Sequence, residues 1–196
     1  MLNVDNISFE YVKGKKIINN FTYTFEQGKS YVICGDNGVG KTTLLKLLLG
    51  LLKPDSGIIQ KGYDYTTGYV PDYNGLYENL TVMDNVLFRL GIYNKQYSQV
   101  KAIFESWLSV YHLLQYRNSF VKELSLGTKK KVGLLCACII MPQVLVLDEP
   151  TGGLDMDSKK ELTNMLMQLK REDTMIITVT HDENFIHAFD NIVINL

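Results

Sequence analysis

The sequence predicts an α/β fold: a mainly parallel sheet flanked by helices, with an N-terminal antiparallel β portion and a helical lobe. Three observations carry this prediction. Short, fully apolar runs such as residues 144–147 read as buried strands and alternate with helix-like segments, the pattern of a parallel sheet covered on both faces. Residues 2–25 read instead as two alternating strands around a tight turn. The stretch from about 73 to 135 carries helical spacing and forms a lobe of its own.

Taken in order, residues 2–11 alternate as a half-buried strand, with Val4, Ile7, Phe9 and Tyr11 among the apolar members. Residues 13–16 form a turn, and 17–25 return as a second strand. A further turn at 26–29 leads to a short strand, 30–34, that runs directly into a glycine-rich stretch. Residues 42–49 are apolar on nearly every side, so the helix expected there is buried on more than one face, and Gly50 supplies its stop. A turn at 53–57 and a strand at 58–60 follow. Thr81 and Asp84 have the spacing of a capping box for a helix over 82–90. Val100, Ile103, Phe104, Trp107, Leu108 and Tyr111 give helical spacing to 98–111. Alternation then resumes with a strand at 144–147, a helix at 158–170 and a strand at 174–180. One domain over 1–196 is expected, with a core and β subdomain in 1–72 and 136–196 and a helical subdomain in about 73–135.

Composition narrows the function. The formal net charge is -1, which gives no electrostatic case for nucleic acid as a partner. Lys129, Lys130 and Lys131 are the only basic run and read as a solvated helix face. Cys34, Cys136 and Cys138 sit in apolar runs, as small buried hydrophobes in a reducing compartment do, and their spacing is not that of a zinc site. No apolar run reaches the ~20 residues of a membrane span, and no secretory signal is expected before the first strand. Any transport role therefore calls for separate membrane subunits.

Three of the expected strands end in polar residues: Cys34 before the glycines, Leu147 before Asp148 and Glu149, and Thr180 before His181. Ligands of open α/β sheets bind at the carboxyl ends of strands, so these groups can converge. Gly35, Asp36, Asn37, Gly38, Val39, Gly40, Lys41 and Thr42 match the full phosphate-loop pattern, and Thr43 completes the candidate nucleotide-binding set. Glycines let backbone N–H groups curl around phosphate, Lys41 supplies a cation, and the Thr42 hydroxyl is a candidate Mg²⁺ ligand. Asp148 is a second candidate Mg²⁺ ligand, and Glu149 beside it is the candidate general base. No Asn-Lys-x-Asp motif is present to read guanine, which disfavours a GTPase.

Leu124-Ser125-Leu126-Gly127-Thr128, with Ser125 placed 23 residues before Asp148, makes the chain resemble the ATP-binding cassette of ABC transporters over nearly its whole length. The resemblance implies an ATPase that works as a dimer of cassettes on membrane subunits. It assigns His181 to the γ-phosphate and the attacking water, and Tyr11 to stacking on adenine. Ser125, Leu126, Gly127 and Thr128 would act as a signature on the opposite subunit's ATP. Asp155 would belong to a loop coupling the two sites. Asp72 stands where many members carry a glutamine that contacts Mg²⁺ and the water, and aspartate can still reach the ion. Leu126 and Thr128 stand where the commonest signature has Gly and Gln. With Asp72, these departures resemble bacterial drug, bacteriocin and lantibiotic exporter cassettes, so export is the direction expected. No regulatory extension is expected after His181. The place implied is the inner face of the cell membrane, held through a membrane subunit.

Other readings remain open on the residues alone. One is a soluble ATPase of this type acting on ribosomes or DNA, which usually carries two cassettes or a long coiled coil. Another, motivated by Asp72, Leu126 and Thr128, is a nucleotide-binding regulator with weak or no hydrolysis, not coupled to transport.

Overall fold

In chain order the strands are β1 (Leu2–Val12), β2 (Lys15–Phe25), β3 (Ser30–Cys34), β4 (Ser56–Lys61), β5 (Thr67–Val70), β6 (Val144–Asp148), β7 (Met175–Val179) and β8 (Asn191–Asn195). The helices are α1 (Lys41–Leu49), α2 (Val82–Ile92), α3 (Tyr97–Val110), α4 (Leu126–Cys138), α5 (Met156–Leu169) and α6 (Glu183–His187). They come from a computed structural model that describes residues 1–62, 64–73, 75–188 and 191–196.

The strands form two sheets. β1 pairs antiparallel with both β2 and β4, giving the order β2-β1-β4. The second sheet is parallel throughout, in the order β5-β6-β7-β3-β8. Its central strands are buried on both faces, and their side chains alternate between two cores. Val144 and Val146 of β6 join Leu44, Leu45, Leu47 and Leu48 of α1 and the apolar residues of β1 and β2. Leu145 and Leu147 face the other way, into a cluster with α2, α3, α4 and α5. Period-two alternation thus survives within a run that reads as uniformly apolar. Each such aliphatic side chain taken out of water contributes roughly 1.5–3 kcal/mol.

Helix boundaries follow their local chemistry. Gly50 takes φ +77° at the end of α1, and its N–H closes the last turn. Thr81 and Asp84 form the reciprocal capping box of α2. The residues around 135 and 136, where the sequence suggests a subdomain boundary, lie inside the continuous helix α4. That helix rests on β5 at closest approach over Gly68, where an added Cβ would stand 2.5 Å from the Ala137 carbonyl oxygen. Any side chain there would force α4 off the sheet.

Three elements go beyond the sequence reading. β5 is a four-residue strand interrupted by Gly68, too short to show a period. β8 is the sheet edge beside β3, formed by a short apolar run bounded by Asn191 and Asn195. α6 is a single turn started by Asp182, whose carboxylate accepts from the N–H groups of Asn184 and Phe185.

Candidate functional site

The strand order sets the site. β3 and β6 lie on either side of β7, so the loops leaving these three strands are neighbours on one sheet edge. Glu149 extends the ladder by one bond, its N–H donating to the Val179 carbonyl at 2.8 Å. A cleft of about 340 Å³ opens there, lined by Tyr11, Asn37, Gly38, Gly40, Lys41, Thr42, Thr43, Asp148 and Glu149, with Ile17 and Val179.

The glycine-rich loop is tightly curled. Gly40 has φ +117°, and a Cβ there would meet Ile17 Cγ2 at 2.8 Å, so only glycine fits. Val39 N–H donates back to the Asp36 carbonyl at 3.3 Å. Lys41 is buried, and its Nζ spans the loop to the carbonyls of Gly35 and Asp36 at 2.8 and 2.9 Å. α1 begins with no capping side chain and no acidic residue in its first turn, so its N–H groups face the cleft without an internal acceptor from a side chain. Curled amides, a cation and a helix N-terminus together suit a polyphosphate.

Tyr11, at the end of β1, is largely exposed, and its hydroxyl lies 3.4 Å from Thr43 Oγ1. Phe9 meets its ring edge-on at 4.9 Å, fixing its tilt. An aromatic face so placed can receive a flat base at the mouth of the cleft.

Across the cleft, Thr42 Oγ1 donates to Asp148 Oδ1 at 3.3 Å. Burial pushes the Asp148 carboxyl above its usual range, against this hydrogen bond, and the neighbouring charges of Asp72 and Glu149 add to the rise. A buried carboxylate beside a hydroxyl is a fitting donor pair for a hard divalent ion, which would relieve that unfavourable charge. Glu149 has φ +46°, a conformation that costs a residue with a side chain roughly 1–3 kcal/mol. Its Oε1 lies 3.0 Å from His181 Nδ1, while its Oε2 is buried with no hydrogen-bond partner among the described residues. A buried carboxylate oxygen in that state is a group whose hydrogen-bonding need a bound water or ligand would satisfy.

The expected site residues do not all meet. Ser125, Leu126, Gly127, Thr128 and Asp155 lie outside the cleft that holds Lys41. Ser125 caps α4, its Oγ accepting from Thr128 N–H at 3.2 Å and lying 2.9 Å from the Thr128 hydroxyl. Gly127 leaves room for Ser158, whose Oγ would be 3.4 Å from an added Cβ. Asp155 caps α5, and hydrogen bonds from the Ser158 backbone and side chain hold its carboxyl below the usual range. Asp72 is exposed just past β5 and near Asp148, with its Oδ1 3.6 Å from Lys130 Nζ.

That last contact corrects the reading of the basic run. Lys130 is 2% exposed and does not belong to a solvated face. Its Nζ donates to the carbonyls of Asp72 and Glu149 at 2.7 and 3.0 Å. Lys129 and Lys131 are half-buried and pair with Glu78 and Glu161. The signal was available in the sequence: Lys130 stands four and seven residues before the buried Leu134 and Ala137 on one helix face. Burial lowers the Lys130 ammonium from its ordinary value, against the opposing pull of Asp72, Glu149 and Asp148.

A second unforeseen cluster stands behind His181. Thr151 Oγ1 donates to Asp182 Oδ2 at 2.9 Å, and Lys159 Nζ lies 3.0 Å from the same oxygen. It fastens the loop after β7 to the start of α5. Burial raises the Asp182 carboxyl, but the Lys159, Thr151 and Phe185 hydrogen bonds outweigh it and hold the group below its usual range. Cys136 and Cys138 are pushed up to about 12 by burial, so both thiols stay protonated and unreactive.

Comparison with known proteins agrees with this geometry. The family model described as ABC transporter matches residues 18–152, and one described as an AAA domain matches residues 121–187. An uncharacterized ABC transporter ATP-binding protein of Methanocaldococcus jannaschii is 30% identical over 92% of this chain and 68% of its own length. A zinc import ATP-binding protein of Ehrlichia ruminantium is 32% identical over 96% of this chain and 76% of its own. The chain spans only 34% of a longer ABC transporter ATP-binding relative from Enterococcus faecalis. A solved ATP-binding subunit of an ABC transporter superposes with a TM-score of 0.86 at 25% identity, covering 99% of this chain and 85% of that one. A match that runs from β2 past the acidic pair of β6, joined to a relative aligned along most of the chain, shows that this protein belongs to the ABC transporter ATP-binding cassettes, which are ATPases.

Proposed function

We propose that this chain is the ATP-hydrolysing cassette of a membrane transporter, and that two cassettes close on ATP to drive their membrane subunits. The observation that supports this most is the convergence of the Lys41 loop, Asp148 and Glu149 on one cleft, with His181 outside its lining but held against Glu149, while the signature residues have no contact with it. A signature that stays outside its own nucleotide cleft suits a role on the ATP of a second cassette.

On this reading, Lys41 and the loop amides from Gly35 to Thr43 hold the phosphates, and Tyr11 offers its face to adenine. Glu149 takes the proton of the attacking water through its unpartnered Oε2, while His181, on Oε1, keeps the carboxylate in place and faces the γ-phosphate. Asp148, Thr42 and Asp72 would hold Mg²⁺, which neutralises charge on the phosphate oxygens. Ser125 and Gly127, with Leu126 and Thr128 beside them, complete the partner's site, and Asp155 lies where the two sites would communicate.

No helix among the described residues is long and apolar enough to cross a membrane. On the proposed reading the membrane path belongs to separate subunits, and the cassette would sit on the inner face of the membrane. A groove lined by Tyr73, Leu76, Tyr77, Phe88 and Ile92 on the helical side offers apolar surface for such a subunit. Asp72, Leu126 and Thr128 favour export by their resemblance to exporter cassettes, whereas the zinc-import relative works in the other direction. Purification of the native complex tests the proposal. A polytopic membrane protein should accompany the chain, and ATP hydrolysis should depend on it. Full activity with no membrane partner would favour the soluble regulatory ATPase instead.

A further inference from the structure

We propose that Lys130 is a positioning residue for hydrolysis, a buried ammonium that fixes the backbone turn of Glu149 and ties it to the loop of Asp72. The inference rests on the reading of Glu149 as general base. Three observations carry it.

First, the ammonium is almost wholly removed from water, yet its hydrogen bonds go to two main-chain oxygens from separate segments, Asp72 and Glu149. Burying a lysine is costly, so a site that keeps one uses its charge or its donors. Second, Glu149 holds a left-handed conformation at φ +46°. Its N–H is held by Val179, and its carbonyl accepts from Gly152 N–H at 3.0 Å as well as from Lys130. Such a conformation persists only where its surroundings over-determine it. Lys130 is the one side chain among these three restraints.

Third, the cation stands among carboxylates. Asp72 Oδ1 is 3.6 Å away, and the charges of Glu149 and Asp148 act on Lys130 as well. A lysine here offsets the extra negative charge that aspartate brings to position 72. Lys130 does not itself line the cleft and reaches it only through the Glu149 carbonyl, so it acts through Glu149 rather than on the nucleotide. Its place one turn into α4, the helix capped by Ser125, also joins the signature helix mechanically to the base.

The test compares Lys130→Met, Lys130→Gln and Lys130→Arg in the full chain, with the membrane protein it co-purifies with. Thermal melting checks folding, and Glu149→Gln is run alongside. Lys130→Met should lower kcat by about tenfold to a hundredfold, the scale on which misplacing a catalytic group acts. Its KM and its equilibrium affinity for ATP should change by less than about threefold, because no ground-state contact is lost. Lys130→Arg, which keeps donors and charge, should restore most of kcat, and Lys130→Gln should fall between. If Lys130→Met does not fold, Lys130→Gln carries the comparison with Lys130→Arg. Unchanged kcat in a folded Lys130→Met or Lys130→Gln overturns the inference. Parallel loss of ATP affinity, or failure of all three variants to fold, also overturns it and makes Lys130 a structural residue. Unchanged turnover in Glu149→Gln instead removes the general-base reading on which the inference stands.

Discussion

His181 Nδ1 stands 3.0 Å from Glu149 Oε1, and the two side chains reach one another from the ends of adjacent strands. The pairing leaves the other carboxylate oxygen of Glu149 buried and without a partner among the described residues. One oxygen is occupied with orientation and the other is free for a proton.

Glu149→Gln should therefore keep the shape of the site and lose its base. Turnover should fall by about 10²–10⁴-fold, the usual worth of general-base catalysis, while ATP binding persists. An ATP-bound dimer should accumulate, visible as a doubled mass in solution when ATP is present. Steady-state hydrolysis and nucleotide binding measured together check this. Unchanged turnover would remove Glu149 from the mechanism.

Lys41→Ala should act on binding itself. The wild-type ammonium is held over the loop by the carbonyls of Gly35 and Asp36. Charge-assisted hydrogen bonds of this type are worth about 1.5–3 kcal/mol, so ATP affinity should drop roughly tenfold to a hundredfold. Equilibrium titration with a fluorescent ATP analogue reads the effect. An affinity within twofold of wild type would mean that the backbone cradle alone binds the phosphates.

Asp182→Asn tests the brace behind His181 through its pH dependence. The folded protein holds the Asp182 carboxyl below its ordinary value, so the unfolded chain takes up the proton first as pH falls. The stabilisation is thus complete above about pH 4, the unfolded value, and is lost as pH drops through the folded one. Asparagine lacks this contribution at every pH. At pH 7 the variant should be about 1–3 kcal/mol less stable, since the Lys159 and Thr151 contacts lose their acceptor charge. Below about pH 4 the gap between the two proteins should narrow. Melting curves from pH 7 to pH 3 decide it, and a gap constant across that range would contradict the assignment.

The residues of the cleft were legible in the sequence because each sits next to a strand end with a strong local signature. Gly35 to Thr42 follow an apolar strand and open a helix, and Asp148 and Glu149 close another. What joins them was less visible. The pairing of His181 with Glu149 depends on β6 and β7 being neighbours, which no local pattern encodes. Lys130 was misread because three consecutive lysines look like a solvated face, whereas helical geometry turns only the middle one inward. β5 escaped because Gly68, needed for the close approach of α4, interrupts an already short run. Local sequence encodes where strands end more readily than which strands lie side by side.

Ser125→Ala separates the two halves of the proposed composite site. Ser125 lies outside the cleft around Lys41, and its hydroxyl serves as the cap of α4. Losing the cap should cost about 0.5–2 kcal/mol of stability, which leaves the fold intact. ATP affinity of the isolated chain should be unchanged, since no group of that cleft is altered. Turnover and ATP-dependent dimerisation should both fall, because the γ-phosphate in the partner loses a hydroxyl donor. Binding by titration, dimerisation by mass in solution and hydrolysis by phosphate release give three independent readings. Weakened ATP binding by the isolated chain would place Ser125 at its own nucleotide and break the two-cassette arrangement. A normal rate of hydrolysis and normal dimerisation would instead remove the signature hydroxyl from the mechanism.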